Sequence, residues 1–280
     1  MITAPTPNGD AGLYWLASFG RGAAFDRSRP LGSPSGPRAG ALNLRLPEGT
    51  GTALAEVADC VVLLDGELHN RTQLERAAGI RRHPPGSDAS LVLDAFRAAG
   101  DRVIGLVRGG CTMVIWDGRN DRVILVRDRL GVRPLFYGTH GDSLFFSPSP
   151  EVLASSTLGA AVNDINVAEW VLRSSTDIEE TFYENVSRLP PGHLLEYRSG
   201  RARISQYWRP PKGDRLASAD PREGFEEFDR LLRQAVRRQC ETAGRHRGGR
   251  RRRGWRRQRR SPASSHRMRP RYRWLGRPRR

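Results

Sequence analysis

Three thiols, Cys60, Cys111 and Cys240, are the first candidate nucleophiles in this 280-residue sequence. A thiolate attacks an amide carbonyl only when a base within hydrogen-bond reach takes its proton. Cys60 opens the apolar run CVVLLDGEL and Cys111 opens CTMVIWDG, so both read as small core residues. Cys240 ends the helical run REGFEEFDRLLRQAVRRQC. An odd number of cysteines with no CxxC spacing disfavours both a disulfide framework and a zinc site, so reduced thiols and no metal centre are expected. A second chemical block is VRDRLGVRPL: Arg127 and Asp128 close a strand, Gly131 supplies a tight turn, and Arg133 and Pro134 lead into the next strand. RLPPGH (188 to 193) reads as a rigid turn, with His193 free to pair with a carboxylate.

The elements that must position these residues follow from the apolar pattern. LYWLASFGR (13 to 21) and CVVLLDGEL (60 to 68) read as strands, with a Pro, Gly and Ser-rich loop over 27 to 40 between them. RTQLERAAG (71 to 79) is a short helix. SDASLVLDAFRAAG (87 to 100) is a longer one, capped by Ser87 or Asp88 and stopped by Gly100. Strands follow at 111 to 118, 122 to 128 and 135 to 148, with DGRND as a hairpin turn between the first two. A helix over 166 to 174 and strands within 193 to 208 complete an α+β domain of mainly antiparallel sheets. Residues 209 to 221 read as a linker. Residues 222 to 240 form an amphipathic helix with Phe225, Phe228, Leu231, Leu232, Ala235 and Val236 on one face, a helix that needs a partner.

Charge separates the chain into two parts. Lys and Arg total 47 against 30 Asp and Glu, yet 17 of those arginines and no acid lie in residues 245 to 280. The body is therefore neutral, and the tail cannot build a core, so it is expected to be disordered. No run is long and apolar enough to span a bilayer and the N-terminus lacks signal-peptide features, which gives a cytoplasmic expectation.

Four blocks in order resemble the N-terminal, class II glutamine amidotransferase domain of asparagine synthetases and their relatives. They are LLDGELHNRTQLE, GSDASLVL, GGCTMVIWDGRNDRVILVRDRLGVRPLFYG, and RLPPGHLLEY with YW after it. The resemblance covers roughly residues 13 to 240. It implies an Ntn-hydrolase-type αββα sandwich over 1 to 208 and, at 222 to 240, the first helix of a synthetase domain. In active relatives a cysteine at position 2, freed by removal of Met1, attacks glutamine with its own α-amine as base. Ile2 stands there, so no catalytic residue is assigned and no glutaminase activity is expected.

The same resemblance assigns Asp65, Gly66, Glu67 and Asp88 to a glutamine-pocket-like group, Asp65 replacing an Asn that helps hold the oxyanion. Asp88 reads equally as a helix cap. No clear counterpart of the arginine that grips the glutamine carboxylate is found in AGALNLRLPEG. Arg127, Asp128, Gly131, Arg133 and His193 are assigned to structure or to a domain interface. The family's substrates are small molecules: glutamine with aspartate, or a substrate that forms an internal amide, as in the cysteine-less β-lactam synthetases and lasso-peptide cyclases. Its ATP and Mg belong to the synthetase domain. The phosphate-cradling SGGxDS loop is due soon after Cys240, where ETAGRHRGGRRRRGWRRQRR stands instead, so no cofactor is expected in this chain and residues 241 to 280 read as a frameshift product. The competing reading is a polyanion- or nucleic-acid-binding protein acting through the Arg-rich tail.

Overall fold

A computed structural model describes residues 14–20, 29–31, 40–47, 52–80, 87–174, 177–211 and 221–247. The Arg-rich tail beyond Arg247, the first residues including Ile2, and most of the expected linker lie outside them. Met1–Thr242 forms one compact unit; of the second, Ala243–Arg280, only the end of a helix is described.

Two antiparallel six-stranded sheets make up the body. One contains β1 (Leu16–Gly20), β2 (Arg29–Leu31), β3 (Ala41–Arg45), β8 (Phe136–His140), β9 (Ser143–Ser147) and β10 (Ser187–Arg188), in the order β10-β8-β9-β1-β3-β2. The other contains β4 (Thr52–Val57), β5 (Cys60–Leu68), β6 (Gly109–Asp117), β7 (Arg122–Val126), β11 (His193–Arg198) and β12 (Arg201–Gln206), in the order β12-β11-β7-β6-β5-β4. In β5, Val61 and Leu63 meet Trp15, Phe19, Leu42 and Phe146 in the core between the sheets. Its alternate residues, Cys60, Val62 and Leu64, meet the helices α1 (Arg71–Ala77), α2 (Asp88–Ala99) and α3 (Arg102–Leu106) on the far side. Both faces are buried, which is why β5, β6 and β7 carry continuous apolar runs. Outside the first sheet, Leu16, Phe136 and Phe145 pack on Val152 and Leu153 of α4 (Pro150–Leu153). The order helix, sheet, sheet, helix is the expected αββα sandwich.

Several local expectations change. The 27 to 40 loop contains β2, and the segment after it adds β3 and β4. The expected strand over 135 to 148 is a hairpin, turned at Gly141 with φ 56°. In the DGRND turn the left-handed residue is Asp121, φ 48°, whose carboxylate also accepts the Gly40 N–H at 2.8 Å. Ser87, not Asp88, caps α2, taking the Ser90 N–H at 3.2 Å. The helix α5 (Asp164–Val171) begins two residues earlier than expected, because Asn163 accepts the Asn166 N–H. The last helix, α6 (Pro221–Arg247), runs beyond residue 240 into the start of the Arg block.

Candidate functional site

The end of β5 and the start of β6 come together without side chains between them. Gly66 pairs with Cys111, Glu67 with Gly110 and Leu68 with Gly109. Gly66 has φ +120°, and a Cβ there would strike the Gly110 carbonyl; a Cβ on Gly109 would strike the Glu67 carbonyl. Only glycine allows this approach.

Asp65, one residue before that approach, is buried at 8% exposure. Its Oδ2 accepts the indole N–H of Trp15 at 3.0 Å, and its Oδ1 lies 3.8 Å from Nη1 of Arg133. Trp15 sits in the core between the sheets, edge-on to Phe146, so this bond ties the head of β1 to β5 across the sandwich. The carboxylate that stands where the resemblance places an oxyanion-holding Asn is thus held by a donor and faces a cation.

A cavity of about 630 Å³ opens beside this strand end. Glu67, Asp128 and Arg133 line it, together with His69, Arg108, Arg129 and Trp208. Asp65, Gly66 and Asp88 are not among its lining residues. Glu67 and His69 approach to 3.7 Å, and the Arg129 guanidinium stacks 5.7 Å from the Trp208 ring centre. Asp88 turns the other way. Its Oδ1 takes Nη1 of Arg71 at 2.7 Å and its Oδ2 takes the Leu68 N–H at 3.3 Å, so it braces β5 against α1 and α2 rather than capping a helix.

The cavity's far wall is the Arg127 to Pro134 loop; the expected strand over 122 to 128 ends at Val126, and the loop is built by Arg127 and Asp128, each with its own backbone partners. Arg127 donates to the carbonyls of Leu189 (2.7 Å), Arg133 (3.1 Å) and Gly131 (3.2 Å). Burial, and after it the Arg188 charge, lower the Arg127 pKa; the three carbonyl dipoles are its hydrogen-bond partners. Asp128 accepts the N–H groups of Leu130 (3.2 Å), Val132 (2.9 Å) and Arg133 (3.0 Å), which curls the loop around its carboxylate. Gly131, φ +67°, packs where a Cβ would meet Pro191. His193 does not pair with a carboxylate: its Nδ1 lies 2.8 Å from the Pro191 carbonyl, within its own turn. That turn is tied to the loop through the Gly192 N–H on the Asp128 carbonyl, and Tyr207 donates its hydroxyl to the Arg127 carbonyl.

Neither core thiol is fit for attack. Burial pushes the Cys111 pKa up to about 12, with the charges of Asp128, Asp88 and Asp65 adding to it. Cys60 is likewise pushed up to about 12, by burial first and then by Asp117 and Asp59. Cys240 is exposed on α6. Among the described residues no three His, Cys, Asp or Glu side chains gather as a metal site would.

Trp15, His69, Arg108, Arg129 and Trp208 were not singled out from the sequence. The one available signal was the rule that a buried indole N–H finds an acceptor.

Two antiparallel sheets stacked between helices, with a glycine-bearing strand end beside a charged cavity, define an amidotransferase-type Ntn sandwich. Residues 48–208 match the glutamine amidotransferase domain, and the chain belongs to that family. Asparagine synthetase [glutamine-hydrolyzing] 2 of Bacillus subtilis is 27% identical over 177 residues, 59% of this chain and 23% of that protein. A putative asparagine synthetase of Methanocaldococcus jannaschii is 23% identical over 64% of this chain and 35% of its own length. Amidase chyE of Penicillium rubens is 29% identical over 55% of this chain and 23% of its own length. The matched part of this chain thus spans between about a fifth and a third of these curated relatives. Among solved structures, the glutamine phosphoribosylpyrophosphate amidotransferase of B. subtilis aligns with 12% identity and a TM-score of 0.41, over 71% of this chain and 44% of that one. No described helix is long and apolar enough to cross a membrane.

Proposed function

We propose that this chain is an asparagine synthetase-like amidotransferase domain that keeps the pocket architecture and has lost glutamine hydrolysis. The observation that carries this reading is the Trp15 to Asp65 contact. Hydrolysis in this family needs a thiol beside a free α-amine and amide donors aimed at the oxyanion. At the oxyanion position stands a carboxylate, and the group brought against it is the Trp15 indole. The thiols nearest in the fold are protonated and buried. What the domain offers a larger ligase is then a rigid cavity with a mixed-charge lining. ATP and magnesium chemistry belongs, on this reading, to a synthetase partner domain.

The test is glutamine turnover by the full chain, followed as ammonia and glutamate. We expect none above buffer. Glutamine-dependent ammonia release proportional to protein, or a mature chain shown by mass spectrometry to begin with cysteine, overturns the proposal.

A further inference from the structure

A second cavity, of about 150 Å³, lies at the other end of the sandwich. β6 connects the two: Gly109 and Gly110 at its start line the first, and Asp121, in the turn after its end, lines the second. Asp142 reaches it from the turn between β8 and β9, and Gly200 from the turn between β11 and β12. Phe19 of β1 and Tyr197 of β11 supply its aromatic wall, their rings edge-on with centres 6.2 Å apart.

Tyr197 is 1% exposed, and its hydroxyl has no hydrogen-bond partner among the described residues. A buried hydroxyl left in that state is costly, so a group that completes it is called for. Burial, and after it the Asp142 charge, raise the Tyr197 pKa, which keeps the proton on the hydroxyl and places that carboxylate in its neighbourhood. Asp121 commits one oxygen, Oδ1, to the Gly40 N–H at 2.8 Å. Asp142 is exposed, and its Oδ1 lies 3.5 Å from where a Cβ on Gly200 would sit. Neither carboxylate has a basic partner among the described residues, and no Lys, Arg or His is among those that line the cavity. The acids of the neighbouring cavity are matched instead, Asp59 by Arg119 and Asp117 by Arg122. Water can cap the Tyr197 hydroxyl, but it leaves two carboxylates facing one cavity without a cation.

We propose that this cavity binds a small ammonium cation, held between the carboxylates of Asp121 and Asp142, the hydroxyl of Tyr197 and the ring of Phe19. An ammonium head donates to the carboxylates and to the hydroxyl oxygen together, and aromatic rings attract it. A hard divalent ion fits less well, since it takes six or more oxygens and only two carboxylates are present. The free ammonium ion and the head of a primary amine share this chemistry. The proposal is independent of whether the first cavity hydrolyses glutamine.

The test is thermal unfolding of the full chain at neutral pH, freed of nucleic acid by nuclease, in ammonium, methylammonium, potassium, tetramethylammonium or sodium chloride. Chloride is matched throughout, so the Arg-rich tail meets the same anion in every arm. Binding with a millimolar Kd should raise Tm in methylammonium over sodium by about 3–5 °C at ten times that Kd, and the rise should saturate. A rise in ammonium alone identifies the free ion, and a rise in both identifies the head of a larger amine; either supports the proposal. Asp142→Asn and Tyr197→Phe should each weaken binding by about tenfold, read as the concentration giving half the rise. In sodium chloride both variants should unfold close to the parent, because Asp142 is exposed and the Tyr197 hydroxyl leaves no partner behind. Equal Tm in all five salts means that the cavity holds water only and overturns the proposal. An equal rise in potassium chloride assigns a bare metal cation, an equal rise in tetramethylammonium removes the need for N–H donors, and a rise unchanged in Asp142→Asn places binding elsewhere; each of these overturns it too.

Discussion

Replacing Trp15 by Phe probes the contact on which the site's chemistry turns. The substitution removes the N–H that Asp65 accepts at 3.0 Å and keeps an aromatic ring edge-on to Phe146. A hydrogen bond to a charged group contributes about 1.5–3 kcal/mol when its loss leaves the acceptor buried. The smaller ring adds a packing loss of about 1 kcal/mol between the sheets. Trp15→Phe should therefore destabilise the sandwich by about 2.5–4 kcal/mol in urea unfolding. Asp65→Asn alone should cost only about 1 kcal/mol. Its amide oxygen still accepts the indole N–H as a neutral bond, and Arg133, half exposed and 3.8 Å away, gives up a weak ion pair. In the Asp65→Asn background the same Trp15→Phe change should then cost about 1–1.5 kcal/mol less, because a neutral bond replaces a charge-assisted one. Additivity within about 0.5 kcal/mol would mean the two side chains do not interact, and the reading of Asp65 as a held, compensated carboxylate would fail.

The remaining predictions concern the strand junction and the thiols. Gly66→Ala should cost more than about 3 kcal/mol or prevent folding, since its Cβ meets the Gly110 carbonyl at φ +120°, whereas Gly79→Ala, with open space at φ +69°, should cost about 1 kcal/mol. Equal effects in denaturation midpoints would refute the close approach of β5 and β6. In native protein at pH 8 a chromogenic disulfide reagent should titrate Cys240 quickly, and Cys60 and Cys111 only on unfolding; a second fast thiol would contradict their burial. Because folding raises both core thiols from about 9 to about 12, the unfolded chain releases their protons first. Their contribution to stability is complete below pH 9 and is lost as pH climbs towards 12, so the unfolding midpoint should fall in that window and fall less in Cys111→Ala.

How far the sequence reveals this molecule depends on how many faces each element buries. β5 and β7 are buried on both faces and appear as unbroken apolar runs, and α2 announces itself through Ser87, its buried stripe and Gly100. β2 and β4 are edge strands, and β3 carries Asn43 and Arg45 within its five residues, so their patterns fall below any strand signal. α3 spans only five residues, too few for a helical period. At the site, Asp65, Gly66 and Glu67 are legible because they are contiguous. The Trp15 contact joins residues fifty positions apart on different sheets, and only the packing of one sheet on the other brings them together. Similarly, Arg127 and Asp128 are expected to close a strand, yet the strand ends at Val126 and both lie in the loop after it, whose backbone groups surround them. Each finds its own set of backbone partners instead.

On the proposed reading, that division of labour explains how a pocket can outlast its reaction. The cavity wall rests on Arg127 gripping three carbonyls, Asp128 gripping three amides, and the glycines that let β5 approach β6. None of these groups needs a nucleophile in order to hold the fold. The chemistry that the family resemblance implies, in contrast, rests on a thiol and an amine at a chain terminus, outside this set of supports. On the proposed reading, loss of the terminal pair touches none of these supports, whereas introducing Asp65 would bury an uncompensated charge unless compensating groups came with it. Trp15 as donor and Arg133 as a nearby cation are those groups, so on the proposed reading Asp65, Trp15 and Arg133 form one coupled replacement. Such a set stabilises the strand end in a form that an oxyanion would no longer find attractive.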